Sequence, residues 1–227
     1  MCFSAEVSFT ASAVLTVSGI VAVKKATSPK QIWFACIPFI FAIQQLAEGV
    51  LWYSYSHDGF ADFRTLSTAT FLIFAQVIWP FWVPFSVLMV EENPKRRLIL
   101  KYFLLVGVTL SVYVSYCLFV YPFNAYPDAH HLKYELGFPL AHSLIAALFY
   151  FVPTVLSCVV STKKRMTTLG LVIFSSYIIA RIFFSEYSLS MWCFFSAIIS
   201  VLVIYVVHLM RPVSTGHTGR SIHAMEG

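Results

Sequence analysis

PKRRLILKYFLLVGVTLSVYVSYCLFVY, residues 94–121, decides what kind of molecule this is. Lys95, Arg96 and Arg97 stand before residues 98–121, in which Lys101 is the only charge. At 1.5 Å per residue that run reaches about 36 Å, enough to cross a hydrocarbon layer of roughly 30 Å. In lipid such a stretch is a spanning helix, and the basic residues before it mark a cytoplasmic end.

Six more runs of the same character lie near 7–23, 31–56, 65–90, 138–160, 166–186 and 190–210. Only 11% of residues are charged and 59% are hydrophobic, against about 25% charged in a soluble domain. Mean hydropathy is +0.79. The connections are too short for a separate soluble domain. The expectation is an all-α polytopic protein: one seven-helix transmembrane domain, 1–211, and a disordered tail, 212–227, rich in Ser, Thr, Gly and His.

The first run follows Glu6 and precedes Lys24-Lys25. A signal peptide carries its positive charge before the apolar stretch, so this segment reads as a true helix. Lys24, Lys25 and Lys30 flank the first connection, and Lys95, Arg96, Arg97 and Lys101 the third. Lys163, Lys164 and Arg165 fill the fifth, and Arg211 and Arg220 lie in the tail. Arg64 and Lys133 alone belong to the opposite side. The asymmetry predicts an external N-terminus and a cytoplasmic C-terminus, and it explains the net charge of +5 without a nucleic-acid surface. Trp52, Tyr53, Tyr55, Tyr121, Tyr126 and Tyr134 suit the external headgroup layer. Pro122–Gly137 is the longest connection and is expected as a loop covering part of the outer face. Trp79-Pro80, Pro84 and Pro153 interrupt their helices, because proline frees a backbone carbonyl and bends the chain.

Ionisable residues within spans are costly and mark function by default. Glu48 lies eight residues before Ser56, about 12 Å deep. His142 and Arg181 lie about 6 and 8 Å from the outer ends of their spans. Gln44, Glu48 and Trp52 repeat at i, i+4 and i+8 and so share a helix face, with Gln45 beside them. Glu48 is expected to face inward and to pair with His142 or Arg181. With Ser143 these residues outline an outward-facing polar pocket on helices two, five, six and seven. A buried pair that only holds helices together is the plainer reading.

Cys2, Cys36, Cys117, Cys158 and Cys193 form no CxxC pair, which excludes zinc-ribbon and thioredoxin-like motifs by spacing. Cys36, Cys117 and Cys158 read as small hydrophobes. Cys2 and Cys193 fall on the same side as the pocket, and three roles stay open beside simple packing. They can form a disulfide. They can join Glu48 and His142 around a transition metal such as zinc. Or Cys2, exposed by removal of Met1, can act as an N-terminal nucleophile.

Met-Cys-Phe-Ser-Ala at 1–5, the stretch Gln44-Gln45-Leu46-Ala47-Glu48-Gly49, Trp79-Pro80 and Trp192-Cys193-Phe194-Phe195 together resemble an uncharacterised family of small bacterial multi-span proteins. The resemblance covers most of the chain and implies a bacterial inner (plasma) membrane. It carries no activity, so it transfers no catalytic residues. A retinal protein needs a lysine deep in its last helix, and 190–210 contains none. The ceramidase-like zinc hydrolases need His-x-x-x-His there, and only His208 is present. Sugar transporters of three helices, a linker helix and three more share the size, but their Pro-Gln signature is missing. Three functions follow from the residues: a protein that binds or transports a small polar solute or metal ion; a membrane enzyme acting on a lipid or small substrate at the outer leaflet; or a structural or sensory bundle. Its expected partners are membrane lipids and a small-molecule or ion ligand.

Overall fold

The computed structural model describes residues 4–128, 131–139, 141, 143–183 and 195–210. It is about 81% helical, so the all-α expectation stands, with one hairpin as the exception. The helices are α1 Ala5–Lys25, α2 Pro29–Ser56, α3 Phe63–Val90, α4 Pro94–Val120, α5 Ile145–Val160, α6 Met166–Phe183 and α7 Ser196–Leu209. Strands β1 Phe123–Asp128 and β2 His131–Leu136 stand between α4 and α5.

Five of these helices, α1 to α4 and α6, are long and apolar enough to cross a membrane. The apolar helices α5 and α7 are shorter. In the expected span 138–160, helix begins only after Ser143, whose hydroxyl caps it by accepting from Ala146 N–H at 3.1 Å. The first residues of the expected span 190–210 lie outside the described residues, as does the expected tail 212–227. The outer surface is apolar: α4 exposes Leu98, Leu105, Val112 and Phe119, the last 91% exposed. A surface of this kind suits hydrocarbon rather than water.

Small residues let the first two helices meet closely. Ser8, Ser12, Leu15, Gly19 and Ala22 form the buried stripe of α1. Ser12 Oγ donates to the Ala42 carbonyl at 2.8 Å. A Cβ added at Gly19 would lie 2.8 Å from the Phe39 ring, and one at Gly49 2.7 Å from the Phe9 ring. Contact through small residues is the usual way membrane helices gain dispersion energy, since lipid supplies no hydrophobic drive between them. α7 packs against α1, α2 and α6.

The prolines shape the middle of the bundle. Residues Ile73–Ile78, just before Trp79-Pro80, form a π-helical turn, and Val152–Leu156 around Pro153 form another. Neighbouring helices take up the displaced carbonyls: Tyr150 OH donates to the Ala75 carbonyl at 2.7 Å, and Ser111 Oγ to that of Val77 at 2.6 Å. Pro84 cannot donate to the Pro80 carbonyl four residues back, and Gly107 of α4 comes up against it. A Cβ at Gly107 would sit 1.9 Å from that oxygen. α2 breaks at Cys36, before Pro38, and the Trp82 indole donates to the Trp33 carbonyl there at 3.0 Å.

Pro122–Gly137 is not a loop. Strands β1 and β2 pair antiparallel with Phe123 opposite Leu136, Ala125 opposite Tyr134 and Pro127 opposite Leu132. Directly opposed residues share a face, so these pairs form one apolar face. Asn124, Tyr126, Lys133 and Glu135 form the other. Ala125, Leu132 and Tyr134 are buried against Leu51, Phe71 and Leu72 at the end of α2 and α3. The sequence carries the period-two alternation, but no Asn-Gly or Asp-Gly marks the turn.

Candidate functional site

The polar face of α2 is buried as its spacing requires. Gln44 and Gln45 are each 1% exposed and Glu48 not at all. The indole of Trp79, from α3, donates to Gln44 Oε1 at 3.1 Å, and its ring packs 4.3 Å from that of Phe41. Gln45 Nε2 donates to Glu48 Oε2 at 3.4 Å, a long bond. Ser8 of α1 lies one turn from Ser12, which bonds to Ala42, so it reaches α2 near the level of Gln45 and Glu48. Its hydroxyl is fully buried and has no partner among the described residues. Trp52, one turn beyond Glu48, packs against the cluster under the hairpin.

Arg181 does not join this group. The buried face of α6 runs through Ile173, Ser176 and Ala180. One residue further is about 100° around the helix, and Arg181 is exposed there. The expected Glu48–Arg181 pair is therefore not formed. Ser143 is spent on capping α5. His142, Cys2 and Cys193 lie outside the described residues, and with them the expected His142 pair and three of the four expected metal ligands. Among the described residues no three His, Cys, Asp or Glu side chains gather as a metal site. Cys117 and Cys158 are free and buried, and Cys36 is free and half-buried.

One cavity between the helices, among the described residues, is mainly apolar. Phe34, Ile37, Phe41, Trp79, Val83, Leu169, Ile173, Ile199 and Val203 line it, with Thr154 and Cys158 from α5. At about 20 Å³ it has room for about one ordered water.

A second buried carboxylate, Glu91, escaped the sequence reading. It sits in the short connection between α3 and α4 and is 1% exposed. Its Oε1 accepts from Glu92 N at 3.0 Å, Asn93 N at 2.9 Å and Thr162 Oγ1 at 2.7 Å. Its Oε2 accepts from Ser161 Oγ at 2.9 Å and Thr162 N at 2.6 Å. Burial alone would raise its pKa, but the hydrogen bonds from Thr162, Asn93 and Ser161 outweigh it and lower the value to about 2. Arg97 donates to the carbonyls of Leu88 and Glu91 at 2.8 and 2.7 Å, and Arg96 to that of Val160. Together they clasp the α3–α4 and α5–α6 connections. An acidic pair, Glu91-Glu92, on an otherwise basic end was the available signal.

Residues 1–217 match the model of a family of unknown function. The chain belongs to the family of unknown function DUF6629. No curated protein and no solved structure matches it.

Proposed function

We propose that the chain crosses the membrane seven times, N-terminus outside and C-terminus inside, in a bacterial plasma membrane, and binds or transports a small polar solute or metal ion at Glu48. The basic residues at one end of the bundle support the orientation. One observation carries the site: a carboxylate with no exposed surface, about two turns inside the end of the mostly buried helix α2, beside two buried glutamines. Carboxylates at such depth are retained where a charge or proton is used.

The test compares the purified full-length protein with Glu48→Gln in a melting screen against alkali, alkaline-earth and transition-metal ions and small polar solutes. A binder at about 100 times its Kd adds roughly 2.7 kcal/mol of stability, a shift of several degrees. At least one ligand class is expected to raise Tm in the native protein and not in Glu48→Gln. Identical ligand responses in the two proteins would remove Glu48 from the site.

A further inference from the structure

We propose that the β1–β2 hairpin is a lid controlling access from its side of the membrane to Glu48, with the Tyr55 hydroxyl as its latch; this rests on reading Glu48 as the binding group. Position is the first argument. Ala47 and Leu51 stand on either side of Glu48 along α2, and both belong to the packed cluster that Ala125, Leu132 and Tyr134 complete. The hairpin therefore stands over the end of the helix face that carries Glu48.

Construction is the second. The register gives an apolar underside and a polar top, so the hairpin closes over apolar helix ends while facing water. Its stem is pinched: Gly137 N donates to the Pro122 carbonyl at 3.0 Å, and a Cβ at Gly137 would lie 2.8 Å from that oxygen. Beyond that stem the strands rest on side chains of α2 and α3. The Tyr134 ring stacks on Phe71 with centroids 4.3 Å apart. Tyr55 OH donates to the Ala125 carbonyl, tying β1 to α2. Arg64 braces this latch: its guanidinium lies 4.5 Å over the Tyr55 ring while donating to the Ser54 carbonyl at 2.8 Å. A narrow stem with apolar contacts beyond it moves as one piece, and loss of the Tyr55 bond favours its open position.

The experiment reads access alone, so it succeeds or fails separately from the ligand screen. Full-length protein in detergent is treated with a water-soluble carbodiimide and a small amine, and adduct formation is followed by mass spectrometry at Glu48 and, as control, at Glu91 on the far end. Native protein is expected to label slowly at both. Tyr55→Phe and Leu132→Ser should label about five- to ten-fold faster at Glu48, with Glu91 unchanged. Native rates at Glu48 in both variants would overturn the lid. So would an equal rise at both carboxylates, since the hairpin would then be holding the whole bundle together.

Discussion

Glu91 and Glu48 are both carboxylates hidden from solvent, and what surrounds each assigns it a different part. Glu91 is surrounded by donors from two connections some seventy positions apart, an arrangement that holds structure. Its folded pKa is lowered from 4.5 to about 2, so it contributes stability that is fully present above the unfolded value. That contribution is lost as pH falls from about 5 through 2. Glu91→Gln should lower Tm at neutral pH, by an amount matching roughly 1–3 kcal/mol for a hydrogen-bonded charge. The gap between native and variant melting curves should close on acidification. A gap that stays constant down to about pH 2 would contradict the clasp. Gly107 is decided by space instead. Its Cβ would meet the Pro80 backbone oxygen at 1.9 Å, which no rotamer relieves, whereas Gly59 has nothing within 4 Å. Gly107→Ala should cost about 1–3 kcal/mol or more, while Gly59→Ala stays within about 0.5 kcal/mol. Melting of the two variants side by side checks both; equal Tm values would mean that α3 and α4 do not meet as described.

At the scale of elements, the prolines and the hairpin show how local rules meet their surroundings. Proline at 80 and 153 predicts an interruption, and each falls at or beside a π-helical turn. Tyr150 of α5 and Ser111 of α4 reach carbonyls of α3, a satisfaction visible only once three helices are assembled. The connection Pro122–Gly137 held an alternating pattern that two prolines and the lack of an Asn-Gly or Asp-Gly pair disguised. Both strands of a two-stranded sheet are edges, so Pro127 removes no interior ladder bond. Burial of Leu132 and Tyr134 against α2 and α3 supplies the stability that an isolated hairpin lacks.

For the whole molecule, most of the described basic residues gather at the end where α1, α3 and α5 finish. Gln31 Nε2 donates there to the Met210 carbonyl at 3.3 Å, bringing the end of α7 beside the start of α2. The hairpin stands at the other end. A reporter fused after Arg211 is expected to read as cytoplasmic, and a tag inserted near Asp128 to be reached from outside. An external reporter on the C-terminus would overturn both the orientation and the seven-span count proposed above.

The sequence by itself determined that this is a helical chain built of apolar segments suited to a membrane. Partition into lipid depends on composition summed over about twenty residues, and that sum needs no knowledge of neighbours. It also placed Gln44, Gln45 and Glu48 on an inward face, because helical spacing is local. Only the tertiary structure decided which polar groups meet. Arg181 and Ala180 are adjacent in sequence, yet one is exposed and the other buried. Glu91 looks like an ordinary loop acid until Ser161 and Thr162 arrive from another connection. Depth along a helix follows from counting residues; rotation about its axis and pairing between distant connections follow from packing alone.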